Sequence, residues 1–238
     1  MIKRFGRTVS LISLAFCLSG APSLAETTDY LFDVHLLGIK AGELKYSVRT
    51  KGDQYSAAGK LYPTGVVASM TTFRFDVSVS GNVKDGRYQP RLYSEISDTG
   101  KRQEEKSITY SGSKIRVKSP KLPKPHWLNP NTQQGKVDPM TAIFLVLEDH
   151  SPEDLCKQKV DIFDGARNVL ITLAGPRTSR NKVICDGNYQ RVGGFSKAEL
   201  KDGTNFPFTM TYVKTGDLYR AERFDVKSVR GRAAFVRR

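Results

Sequence analysis

From Tyr30 onward the chain alternates apolar and polar side chains in run after run, and turn-forming dipeptides separate the runs at spacings of roughly 8 to 14 residues. A period of two sends successive side chains to opposite faces of an extended strand, so each run presents one face to a core. Tyr30, Phe32, Val34 and Leu36 alternate with Leu31, Asp33, His35 and Leu37. Phe73, Phe75, Val77 and Val79 alternate with Arg74, Asp76 and Ser78, and Phe206, Phe208, Met210 and Tyr212 repeat the pattern near the other end. Gly52-Asp53, Asp85-Gly86, Thr99-Gly100, Ser111-Gly112, Asp164-Gly165 and Thr215-Gly216 supply the turns. The pattern predicts about eleven to thirteen antiparallel strands in a sandwich, barrel or rolled sheet.

One segment breaks the period. Asp138 suits a helix N-cap, Pro139 suits the first helical position, and the following MTAIFLVLED holds neither Gly nor a second Pro. Met140, Ile143, Phe144, Val146 and Leu147 cover too much of the circumference for a surface helix, so residues 138–149 are expected inside the sheet. Before it, residues 118–130 contain Pro120, Pro123, Pro125 and Pro130, which deny the segment a place in a ladder. Read as a polyproline helix, it would line up Lys118, Lys121 and Lys124 along one edge about 9 Å apart, with Trp127 beyond them, as a contact for an anion. Strands on both sides of this connection favour one continuous domain over residues 26–238.

The first 25 residues read as a secretory signal. Lys3, Arg4 and Arg7 precede an apolar stretch from Val9 to Leu18, and Ser23-Leu24-Ala25 forms a small-x-small cleavage site. The expectation is export to the periplasm. Removal of the signal takes away Cys17 and lowers the formal net charge from +14 to +11. Further basic residues, Lys227, Arg230, Arg232, Arg237 and Arg238, gather at the C-terminal end. In an exported protein such charge points to anionic envelope surfaces and not to nucleic acid. No later apolar run is long enough to span a membrane.

Nothing in the chain names a reaction. His35, His126 and His150 lack metal-ligand spacing, no nucleophile elbow or phosphate-cradling loop is present, and Glu148, Asp149, His150, Glu153 and Asp154 read as the polar exit of a helix. No cofactor is expected. Cys156 and Cys185 remain as an even pair in an oxidising compartment, without a Cys-x-x-Cys motif, and are expected to form a structural disulfide. A flat three-strand meander between them would leave the cysteines at opposite ends of nonadjacent strands, so the sheet must curl or residues 174–181 must pair irregularly.

Several segments together carry a resemblance: Tyr30 to Gly42 (YLFDVHLLGIKAG), Asp138 to Ala142 (DPMTA), Asp161 to Arg167 (DIFDGAR) and the stretch from Cys185 to Gly194. In this order, with the paired cysteines, the mature chain resembles the exported bacterial family catalogued as domain of unknown function 3108. The resemblance implies a secreted, sheet-rich fold and supplies no catalytic residues. In its signal, β-rich body and single disulfide the chain is also similar to periplasmic envelope-integrity spiral proteins and lipoprotein carriers. That likeness narrows the expected fold to a mainly β protein: a single curved antiparallel sheet, open barrel or spiral, around one helix.

The functional expectation is a noncatalytic periplasmic protein that binds a lipid or lipidated envelope component or maintains envelope integrity. Tyr30, Phe32, Phe73, Phe75 and Phe144 are the candidate lining of a concave apolar face, and Lys121 and Lys124 the neighbours of an anionic head group. The alternatives are a scaffold that docks a protein partner and, behind it, a hydrolase of envelope glycan or lipid.

Overall fold

The computed structural model describes residues 25–228 and 231–238; the expected signal segment before Ala25, with Cys17, lies outside the described residues, as does Arg230. Thirteen strands follow one another: β1 (Glu26–Leu36), β2 (Ile39–Lys51), β3 (Gln54–Pro63), β4 (Arg74–Lys84), β5 (Arg87–Asp98), β6 (Gln103–Ser111), β7 (Lys114–Lys118), β8 (Lys159–Phe163), β9 (Asn168–Ser179), β10 (Lys182–Gly193), β11 (Asn205–Thr215), β12 (Leu218–Ser228) and β13 (Gly231–Arg237). Short helices α1 (Gly65–Met70) and α3 (Lys197–Lys201) sit in the β3–β4 and β10–β11 connections, and α2 (Pro139–Leu147) lies between β7 and β8.

All strands belong to one antiparallel sheet in the order β7-β6-β5-β4-β3-β2-β1-β13-β12-β11-β10-β9-β8. Two meanders, β1–β7 and β8–β13, are therefore joined edge to edge by the pairing of the first strand with the last. Phe32 stands opposite Arg237, and Val34 opposite Phe235. Register shifts at Val34/His35, Ser80/Gly81, Ile184/Asp186 and Thr211/Tyr212 bend and twist the strands. At Gly187 the ring of Phe208 lies directly over the backbone, in space that a Cβ would occupy. The sheet thus curls without closing, since β7 and β8 remain its two edges.

The segment between those edges seals the seam. The Asn131 side chain accepts the backbone N–H of Ile115 on β7 at 3.0 Å, and Val137 pairs with β8 through Val137 N–H to Asp161 O (3.0 Å) and Phe163 N–H to Val137 O (2.9 Å). Free strand edges invite association with other chains, and here each has a partner.

The alternation read from sequence sets the interior. Tyr30, Phe32, Tyr46, Val48, Tyr55, Val77, Val79, Tyr93 and Ile108 point inward and are buried. The expected helix forms inside the sheet, two residues shorter at its C-terminal end than the 138–149 read from sequence because Glu148 turns to an extended conformation. Asp138 caps it as expected, accepting from Met140 N–H (2.8 Å), Thr141 N–H (3.0 Å) and the Thr141 hydroxyl (2.5 Å). The Tyr55 hydroxyl completes this chain by donating to Thr141 Oγ1 at 2.9 Å. At the other end of α2, the Tyr212 hydroxyl donates to the Val146 carbonyl at 2.7 Å.

The disulfide Cys156–Cys185 is formed, with Cα atoms 5.3 Å apart. The two cysteines do not lie at opposite ends of a meander, as a flat reading suggested. Leu173 N–H bonds to Gln158 O and Asp186 pairs with Ala174, which puts both cysteines at one level, on either side of β9. Cys156 adopts the left-handed region at φ +60° and turns its segment onto the inner face of the sheet, where Cys185 is fully buried.

The 118–130 connection departs from the expected ladder. Lys118 is the last residue of β7, Pro120 and Lys121 lie in a bend, and Trp127 N–H bonds to Lys124 O in a turn. Lys121 is paired with Glu104 at 2.6 Å. Three lysines evenly spaced on one polyproline edge are not present: strand pairing claims the first and a carboxylate the second.

Candidate functional site

Above α2 the curled sheet encloses a cavity of about 480 Å³. The helix forms its floor through Met140, Ala142, Ile143, Val146 and Leu147. The walls come from both meanders: Leu44, Leu61 and Phe75 on one side, and Phe206, Phe208, Phe224 and Phe235 on the other. Phe224 and Phe235 stack with ring centres 4.0 Å apart. Apart from these apolar groups the lining holds Lys60 and Lys227 as its charged residues. The volume falls within the range of about 300 to 1,000 Å³ common to small-molecule sites.

The sequence-derived lining divides. Phe75 borders the cavity. Phe32 is fully buried, Tyr30 packs on Tyr46 at 4.9 Å, and Phe144 packs edge-on against Tyr88 at 5.0 Å, all three inside the core. Phe73 is half-buried just before β4. Trp127 is half-buried and its indole N–H has no hydrogen-bond acceptor. Phe206 and Phe208 were visible as an alternating strand, and Phe224 and Phe235 recur on the same period. What no local pattern conveys is that these four converge on Leu44 and Leu61, more than 140 residues away in sequence.

The basic C-terminal end also divides. Arg237 turns inward, its guanidinium 4.7 Å from the Tyr30 ring centre, and burial lowers its pKa. Arg238 bridges Asp33 and Glu43 at 2.6 Å each, and with Tyr62 and Lys40 it holds the Glu43 carboxyl down to about 2. Lys227 and Arg232 remain exposed.

Below the floor the helix exit forms a second polar group. Arg220 grips both oxygens of Asp149 at 2.8 to 3.2 Å, and His150 pairs with Tyr219 through the backbone. Burial first, then Asp149 and Asp154, push the Glu148 carboxyl up to about 7. Its usual value is near 4.5. Between those values the folded protein keeps a proton that the unfolded chain releases, so stability falls as pH rises through the window and stays lowered above it. Glu148→Gln should therefore shift the melting temperature little at pH 5 and raise it by several degrees at pH 8. Equal melts of variant and wild type at pH 8 would refute the assignment.

Among the described residues no group of three or more His, Cys, Asp and Glu side chains is placed to hold a metal ion, and no helix is long and apolar enough to cross a membrane. The family model described as "Protein of unknown function (DUF3108)" matches residues 31–183. The chain belongs to this family. The match to DUF3108 runs from β1 into β10 and so takes in α2, the cavity-facing strands β2, β3 and β4, and Cys156. No curated protein and no solved structure matches the chain. In this DUF3108 member the remaining walls, Phe206 to Phe235, lie beyond the matched span.

Proposed function

We propose that this protein is a noncatalytic periplasmic binder of a lipid or lipidated envelope component, holding one apolar chain in the cavity above α2. The observation that carries this reading is the lining: the curled sheet leaves about 480 Å³ bounded almost wholly by hydrocarbon and aromatic rings. An apolar space of this size, open to solvent, is costly unless something apolar fills it. Lys227, exposed where the lining ends, is placed to meet a carboxylate or phosphate at the end of such a chain, whereas Lys60 faces Asp76 at 4.0 Å. Nothing along the walls supplies the converging polar groups that a hydrolase requires, which is why we favour binding over catalysis.

The test is displacement of a fluorescent fatty acid from the purified protein, with Ile143→Trp as the decisive variant. Ile143 stands half-buried on the cavity floor, so the larger ring grows into open space and not into packed core. Affinity should fall at least about tenfold, and the melting temperature should hold within a few degrees. Unchanged affinity in a folded variant would remove the cavity as the binding site.

A further inference from the structure

The sheet has two ends with different surfaces. Connections β1–β2, β3–β4, β5–β6, β8–β9, β10–β11 and β12–β13 emerge at the end reached by Leu61, Phe75, Phe206 and Lys227 of the cavity wall. The five most exposed large apolar side chains among the described residues are Leu122 (84%), Met70 (80%), Val66 (77%), Leu37 (74%) and Ile39 (68%). All five stand at this end. Leu37 and Ile39 stand at the β1–β2 tip, and the Leu37 backbone N–H bonds to Arg232 O near the start of the adjoining β13. Val66 and Met70 lie on α1, a helix with no buried residue, tied beside β2 by Thr64 N–H to Ala41 O. Leu122 follows Lys121, which Glu104 at the start of β6 holds to the same end.

Charge follows the same division. Residues 36–40, 63–76, 98–104, 164–167, 191–204, 227 and 231–232 at this end carry ten Lys and Arg against six Asp and Glu; Lys40, Arg74, Arg102 and Arg167 are ion-paired, which leaves six cations without a carboxylate among the described residues. At the opposite end, residues 51–54, 84–87, 111–114, 148–158, 179–182 and 215–218 carry seven of each.

We propose that the rim formed by Leu37, Ile39, Val66, Met70 and Leu122 docks this end of the sheet onto an anionic lipid bilayer. Separate apolar tips set among cations are the chemistry of an interfacial contact, in which side chains enter the headgroup layer while Lys and Arg meet its phosphates. A flat protein interface would need one continuous apolar patch, and these side chains stand on three different connections. Docked so, the protein presents the cavity end to the membrane, which would place a ligand exchanged there next to the bilayer. The docking itself does not depend on what the cavity holds.

The experiment is flotation of the full chain with vesicles of phosphatidylglycerol and phosphatidylcholine, and with phosphatidylcholine alone, at low and high salt. Wild type should float with the anionic vesicles and release as salt rises. The Val66→Asp/Met70→Asp variant should lose at least about tenfold in partitioning, because two apolar side chains are replaced by charges repelled from the surface. α1 buries nothing, so the variant's melting temperature and its fatty-acid affinity should match wild type. Ile143→Trp should float normally, which separates failure of the docking from failure of the cavity reading. Equal flotation of the Val66→Asp/Met70→Asp variant, or of wild type on both vesicle types, would overturn the proposal. So would a wild-type dimer that the same variant dissociates, with no flotation, since the rim would then be an interface between copies.

Discussion

Replacing both Cys156 and Cys185 with serine should lower the melting temperature by about 10 °C. The bond closes a loop of 29 residues, for which the chain-entropy relation gives about 3.5 kcal/mol. Two features make that figure apply here. Cys185 is fully buried on the inner face, and Cys156 reaches it only by holding a left-handed backbone conformation that few non-glycine residues adopt unaided. The bond also fastens the segment that follows α2 to the sheet, so the cavity floor should loosen with it. Thermal melts of the double variant and fatty-acid binding at a temperature where it is fully folded check both effects. A shift under about 2 °C would show that packing alone holds the 151–158 segment.

The second large effect separates core from cavity. Phe32→Ala should cost about 3 to 5 kcal/mol, since the ring is fully buried and its removal leaves a void within packed side chains. Phe75→Ala deletes the same group at a wall that already faces about 480 Å³ of open space, so no new enclosed void forms and the cost should stay near 1 to 2 kcal/mol. Ligand affinity should move the other way: Phe75→Ala weakens it and Phe32→Ala leaves it nearly intact in the folded fraction. Chemical denaturation of the two variants measures the first contrast, and titration with the fluorescent fatty acid measures the second. Equal stability costs would mean that the cavity is filled by protein side chains in solution.

Phe32 and Phe75 also show how far the sequence could be read. Both occupy the inward positions of alternating strands, and the period of two assigns them to one face. The same alternation made the strands and the fold class legible, and the Asp138-Pro139 start followed by an uninterrupted apolar run made α2 legible. Which inward residues pack and which stand free depends on where the sheet bends and on how far α2 reaches, and these are set by bulges and by the pairing of β1 with β13. Phe224 and Phe235 stack across two strands near the chain's end while Leu44 and Leu61 approach from its beginning, and no window of sequence holds both. The lysines of the 118–130 segment failed for a similar reason. Proline spacing describes the local backbone, but Glu104, on a strand formed earlier, decides what Lys121 does.

The joining of β1 to β13 has a consequence for how the molecule assembles. Eleven of its twelve strand pairings connect neighbours in sequence, so hairpins can zip locally with small loop-closure entropy at each step. The twelfth spans almost the whole described chain. Until the last seven-residue strand arrives, the first strand and β12 both present unpaired edges, and the two meanders have no shared interior. Completion of the fold therefore waits on β13, and a chain lacking that one strand would remain two adhesive half-sheets.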